Sequence, residues 1–264
     1  MNITDIIKMR KSVRSFSGTP LNAQQIALIN QAIADSKSPF GGDYIIKLAS
    51  VEAELSFKPS TYGVITNAKD FLLMGVGDTE HSALSAGYAM EQVVLKATEM
   101  GLGTCWIAAT FKKSIFERVA AFPDATPLKI ISPIGESAQK RSFMEKFTRF
   151  AVGANNRKPF DKLFFAGNFT TSLSPDNQFG QPLEMMRLAP SSTNSQPWRA
   201  LVVDNRVDFY YKSRGMVSVL DMGIGLCHFN LAAQAVGLNG KFAPISDPIE
   251  APDKWVYLTS FTLQ

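Results

Sequence analysis

The chain is poor in the residues that most catalytic machinery draws on. Its 264 residues include only two cysteines, Cys105 and Cys227, and two histidines, His81 and His228. Two distant cysteines suggest neither a disulfide framework nor a metal site. Two histidines leave little for a catalytic triad; His228 lies in an apolar helical stretch and reads as a hydrogen-bonded core residue, and His81 in the polar "GDTEHS". There is no GxGxxG, no P-loop lysine motif, no HExxH and no CxxC. No uninterrupted apolar run approaches the roughly 18–20 residues needed to cross a bilayer. The opening "MNITDIIKMRKSVRSF" puts its positive charges after its apolar residues, the reverse of a secretory signal, so a cytoplasmic location is expected. Long basic runs are missing as well. A net charge of +4 permits anion binding, yet only "RKSVR" and "NNRKPFDK" cluster it, and neither resembles an RNA-recognition sheet. Nucleic acid and membrane are therefore not expected partners; a small phosphate suits two short clusters better.

What is present is an ordinary globular composition, 45% hydrophobic and 19% charged, with 19 phenylalanines for a core. "LNAQQIALINQAIADS" predicts a helix opened by an Asn22–Gln25 capping box, with Ile26, Ile29 and Ile33 at helical spacing. "DFLLMGV" reads as a buried strand, "AGYAMEQVVLKATEM" as a covered helix stopped by Gly101, and "GTCWIAATF" as extended chain. The order then recurs: strands "RALVV" and "VDFYY", and a second apolar helix "GIGLCHFNLAAQAV" stopped by Gly237. "LKATEMGLGTCW" aligns with "LAAQAVGLNGKF", which points to an internal duplication. "NFTTSLSPDNQFGQP" reads as the loop between the halves.

Two stretches carry chemistry. In "RKSVR", extended backbone puts Arg10, Ser12 and Arg14 on one face and Lys11 and Val13 on the other, a cradle of two guanidinium forks around a hydroxyl; a solvated basic turn is the other reading. "APSSTNSQPW" concentrates neutral donors and acceptors between two prolines before a tryptophan, which suits a flat heterocycle such as a flavin pyrimidine, or equally a helix cap and turn. With so little acid–base machinery, chemistry carried by a cofactor fits best.

Together with "GLGTCWIAA" and "RKP", these stretches resemble the nitroreductase family of FMN-dependent oxidoreductases, over most of the chain from Arg10 to about Gly240. The resemblance implies an α+β fold, with a nitroreductase-like sheet flanked by helices. The order of motifs departs from the family, whose members carry the Pro-Ser-Ser stretch soon after Arg-x-Ser-x-Arg. That slot here holds "SKSPFGGDYIIKL", and the motif stands about 180 residues later, in a half with no Arg-x-Ser-x-Arg of its own. Family members are homodimers, so this chain resembles a tandem-fused branch: two half-domains, 1–163 and 164–264, forming an intramolecular pseudo-dimer with one composite FMN site.

Carried over by that resemblance, Arg10, Lys11, Ser12 and Arg157 are expected at the FMN phosphate and ribityl chain, with Asn155 where relatives often have a basic residue. Arg14 is expected at the flavin N1 and O2 edge, stabilising the reduced ring. Pro190, Ser191, Ser192, Asn194 and Gln196 approach from the other half. Trp106, Ile107, Ala108 and Ala109 line the far side, and Tyr62 and Gly63 the edge. No catalytic side chain and no metal are expected. The implied reaction is ping-pong, with NAD(P)H as hydride donor to the flavin and a nitroaromatic or quinone-like small molecule as acceptor. Alternatives are a flavin store or sensor without turnover, or a superfamily relative that dehalogenates a substrate or fragments the flavin.

Overall fold

The computed structural model describes residues 1–51, 61–138, 156–252 and 254–264. They form two compact units: Met9–Asn155, and Asn156–Gln264 together with Met1–Lys8. Helix α1, Ile3–Met9, runs across this division. The sequence reading divided the halves after residue 163; residues 156–163 instead cluster with the C-terminal unit, because their backbone is bonded to it. Lys158 N–H donates to Gln196 Oε1 at 2.7 Å, and Ala200 N–H to Leu163 O at 3.1 Å.

In the N-terminal unit, α2 (Ala23–Asp35) opens with the expected capping box, Asn22 and Gln25 exchanging backbone-to-side-chain bonds of 2.9 Å. Of its three isoleucines only Ile29 is fully buried, and Ile26 is 37% exposed, so the covered face is narrower than the spacing implies. Strands β1 (Tyr44–Ser50), β2 (Asp70–Val76), β3 (Gly103–Thr104) and β4 (Leu128–Gly135) pair antiparallel in the order β1-β2-β4-β3. The central β2 is buried at every position, which explains its continuous apolar run. Helix α3 (Glu80–Glu99), capped by Thr79 Oγ1, packs on α2, β1 and β2. Helix α4 (Lys113–Val119) contributes Phe116 to a core with Phe71, Leu128 and Ile131.

The C-terminal unit holds β5 (Phe164–Ala166), β6 (Asn168–Ser172), α5 (Gly180–Arg187), β7 (Trp198–Val203), β8 (Arg206–Lys212), α6 (Met216–Ala235), β9 (Gly240–Ala243) and β10 (Trp255–Leu263). Its sheet runs β6-β5-β7-β8-β10-β9, antiparallel except for the β5–β7 pair. Asn168–Ser172, expected as loop, is a strand: Gly167, at φ 68°, turns the chain back so that β6 pairs with β5. Helix α6 is the second apolar helix that the sequence predicts. It is long and apolar enough to cross a membrane by length and composition, yet 72% of its apolar window is buried, as befits a core helix.

The duplication is visible in topology. The order β1-β2-β4-β3 around α3 repeats as β7-β8-β10-β9 around α6, each helix being 20 residues long. Gly101 and Gly237 end them at φ 77° and 78°, and the leucine that follows donates its N–H five residues back, Leu102 to Ala97 O and Leu238 to Ala233 O, at 2.8 and 2.9 Å.

Candidate functional site

In the N-terminal unit the Arg10–Arg14 stretch is extended, held on both sides by backbone pairing. Ser12 bridges parallel to Thr104 of β3, and Val13 N–H donates to Thr104 O at 2.8 Å. Gly103 makes this approach possible: a Cβ there would lie 2.7 Å from the Val13 side chain. Ser15 bridges parallel to Thr66, whose N–H donates to Arg14 O at 2.8 Å. Residues 61–66 are thereby fixed beside Arg14. Thr61 is buried, while Tyr62, 70% exposed, and Gly63 turn outward at φ 50° and 78°. Ser60 and Asn155, which flank two of the expected site stretches, lie outside the described residues.

The two arginines differ in their surroundings. The Arg10 side chain is 6% exposed, with Nε 4.0 Å from Glu91 Oε1 of α3. Burial holds its pKa below the usual arginine value, opposed by the Glu91 and Cys105 charges. Glu91 Oε2 accepts the Trp106 indole N–H at 2.8 Å, so one buried carboxylate serves both. Arg14 faces no carboxylate among the described residues: its Nε and Nη1 are buried with no hydrogen-bond partner there, as is Arg10 Nε, which has only the 4.0 Å approach of Glu91. Lys11 is exposed and Ser12 half-buried. Ile107 is a core residue bridged to Ile131, whereas Ala108 and Ala109 are exposed and Trp106 half-buried.

In the C-terminal unit "PSSTNSQPW" links α5 to β7 as a tight, strained loop. Thr193, Asn194 and Gln196 lie at φ 51°, 55° and 49°, a conformation cheap for asparagine and costly for threonine. Hydrogen bonds hold it there. Arg157 Nη1 donates to Asn194 Oδ1 at 3.0 Å and Nη2 to Leu188 O at 3.2 Å. Gln196 N–H donates to Ser191 Oγ at 2.9 Å, and its Nε2 to Asn194 O at 3.1 Å. The Lys158 ammonium donates to Ser195 O and, at 3.2 Å, to Gln196 O. Asp221 of α6 accepts the Ser192 N–H on both oxygens, at 3.0 and 3.1 Å, and the Ser195 hydroxyl at 3.4 Å. Burial pushes the Asp221 carboxyl up to about 7, against the pull of those bonds and of Arg214. Pro190 and Ser191 are half-buried and Ser192 exposed.

Arg157 therefore belongs with Asn194 in one compact unit, while Arg10, Lys11, Ser12 and Arg14 belong to the other. Sequence reasoning missed Glu91, Lys158, Arg199 and Asp221. Lys158 stands inside the quoted "RKP"; an acid within the apolar middle of each helix was the available signal for Glu91 and Asp221.

A family model described as "Putative TM nitroreductase" matches residues 2–233. A "putative nitroreductase" from Thermotoga maritima shares the fold, with a TM-score of 0.64 at 22% identity, over 100% of this chain and 94% of that one. A nitroreductase family protein from Clostridium novyi NT matches 56% of this chain and 92% of its own at 24% identity, TM-score 0.42. A nitroreductase with bound FMN from Bacteroides fragilis matches 54% and 92% at 14% identity, TM-score 0.43. None of the curated proteins searched matches the chain.

Proposed function

The chain belongs to the nitroreductase family whose model spans residues 2–233, and on that premise we propose that it is an FMN-dependent NAD(P)H oxidoreductase acting on nitroaromatic or quinone-like acceptors. The observation that carries the reading is Arg14, a cation with two buried donors and no acceptor for them among the described residues. Leaving such donors unpaired costs about 1–3 kcal/mol or more each, so the residue is poor as a structural element. It fits a site for an electron-rich ligand edge, and its place in "RKSVRSF" matches the arginine that faces the flavin in the resemblance.

Bound FMN would supply hydride acceptance from NAD(P)H and delivery to the acceptor. The chain's own residues bind and polarise. Arg10 and Ser12 offer a guanidinium and a hydroxyl for the phosphate and ribityl chain, with Glu91 fixing the Arg10 guanidinium. Arg14 offers positive charge to the pyrimidine edge, where it favours the electron-rich reduced ring. The Pro190–Gln196 loop is held rigid by Arg157, Lys158 and Asp221, so its neutral groups need little reordering on binding. Each motif occurs once, and one flavin per chain follows.

The test is an absorption spectrum of the purified protein, with flavin quantified per chain after denaturation, followed by steady-state NAD(P)H oxidation with and without menadione or a nitrobenzene. About one FMN per chain and acceptor-dependent oxidation are expected. Flavin without turnover would favour a store or sensor. No flavin, even after incubation with FMN, would overturn the reading.

A further inference from the structure

Lys158, Arg199, Lys212 and Arg214 come together in the C-terminal unit through the sheet register and the strained loop. Arg199 on β7 pairs with Tyr210 on β8, and Lys212 lies two residues on from Tyr210, on the same face of the sheet. Lys212 pairs in turn with Trp255 of β10. The Arg199 guanidinium carbon sits 5.1 Å from the Trp255 ring centroid, and Lys212 Nζ 5.7 Å from it. The loop brings in the others: Lys158 Nζ and Arg199 Nη1 both donate to Gln196 O, at 3.2 and 3.3 Å, and Arg214 Nη1 donates to Thr193 Oγ1 at 3.3 Å.

These cations lack counter-charges. Among the described residues none of the four has a carboxylate within ion-pair distance. Asp221 is the acid that Arg214 feels, and its oxygens already accept from Ser192 and Ser195. Arg199 is 6% exposed, and its Nε is buried with no hydrogen-bond partner among the described residues. Desolvation and the charges of Arg199, Lys212 and Arg214 bring the Lys158 ammonium down to about 8. Burial brings Arg199 down to about 10. Stacking on one tryptophan returns only part of the cost of desolvating two cations. Burying an arginine without a counter-ion costs several kcal/mol, so the aromatic contact alone does not account for the cluster.

We propose that Lys158, Arg199, Lys212 and Arg214 form a binding site for a phosphate-type dianion. The proposal rests on residues of one unit, of which Lys158 belongs to "RKP" and Thr193 and Gln196 to the Pro-Ser-Ser stretch, and its readout, the Lys158 amine, fails or holds separately from flavin turnover. Free phosphate or pyrophosphate and the phosphate of a nucleotide share the chemistry required.

The experiment uses flavin-free protein and follows acylation of the Lys158 amine at pH 8 by peptide mass spectrometry. The probes are inorganic phosphate, pyrophosphate, FMN against riboflavin, and NADPH against NADH, with chloride at matched ionic strength as control. A bound dianion restores the ammonium; a rise of one pKa unit from about 8 slows acylation about fivefold. Expected is protection of that order by at least one phosphate probe and not by chloride, lost in the Lys212→Met/Arg214→Met variant, whose substituted side chains are exposed. Protection by FMN but not riboflavin assigns the source to the flavin phosphate, and by NADPH but not NADH to the 2′-phosphate. Equal reactivity with and without every phosphate probe would overturn the proposal, as would protection that persists in the double variant. Neither result depends on whether the protein turns over.

Discussion

The Trp106 indole N–H donates to Glu91 Oε2 across 2.8 Å, and so ties the extended stretch after α3 to a carboxylate with no solvent exposure. The other oxygen of that carboxylate faces Arg10 Nε at 4.0 Å. One acid on an apolar helix thus orients two residues of two different motifs.

Glu91→Gln keeps an acceptor for Trp106 and removes the charge that compensates Arg10. Breaking a buried pair from one side costs about 3 kcal/mol, because the surviving charge is left alone. Denaturant unfolding should show a loss of that order, and Arg10→Met/Glu91→Gln should be more stable than Glu91→Gln alone. A double variant that is no more stable would mean that Glu91 acts through Trp106 only.

Arg14→Met separates binding from folding. Two unsatisfied buried donors disappear, so the melting temperature should stay level or rise. Affinity for FMN, read by fluorescence quenching, should fall about tenfold or more with the lost charge-assisted contact. A variant that binds FMN as tightly as the parent would remove Arg14 from the site.

Gly103→Ala tests the packing that threads the arginine stretch beside β3. The new Cβ would meet Val13 at 2.7 Å, an overpacking worth about 1–3 kcal/mol. Adding Val13→Ala removes the two Cγ contacts but leaves the Val13 Cβ at 2.7 Å, so it should recover only part of the loss caused by Gly103→Ala. Gly101→Ala meets no neighbour and is destabilised only by its φ of 77°, by about 1 kcal/mol, and Val13→Ala should not rescue it.

Asp221 makes stability depend on pH. Its carboxyl is raised to about 7 in the fold, against 3.8 as its ordinary value, so between those limits the folded chain holds a proton that the unfolded chain has released. The contribution is therefore most favourable below about pH 4, declines as pH rises to about 7, and is level above. The full span is on the order of 4 kcal/mol. Asp221→Asn should flatten this part of the profile in urea titrations from pH 5 to 8, and at pH 8 should match or exceed the parent in stability. An unchanged slope would show that Asp221 titrates at its ordinary value.

Much of the local structure was legible in the sequence because it is locally caused. The Asn22–Gln25 box needs only residues three apart, the glycine stops need only a left-handed backbone, and the run "DFLLMGV" follows from burial on both faces of a central strand. The alignment of "LKATEMGLGTCW" with "LAAQAVGLNGKF" carried the duplication for the same reason: each encodes one helix end. Strand β6 was missed because Asn168–Ser172 is polar and exposed apart from Phe169, and its strand identity comes largely from pairing with β5.

For the candidate site the division is similar. Residue types and order along the chain determined by themselves which stretches could meet an anion or a flat heterocycle, and that each occurs once. Tertiary structure decided which side chains are already engaged. Arg10 faces Glu91 from 81 residues away, Asn194 accepts from Arg157, and Asp221 holds Ser192, while Arg14 keeps two buried donors unmatched. The sequence marks where donors and charges lie. Burial and pairing, which depend on strand register and on helices brought in from elsewhere in the chain, determine which of them are left to bind a ligand.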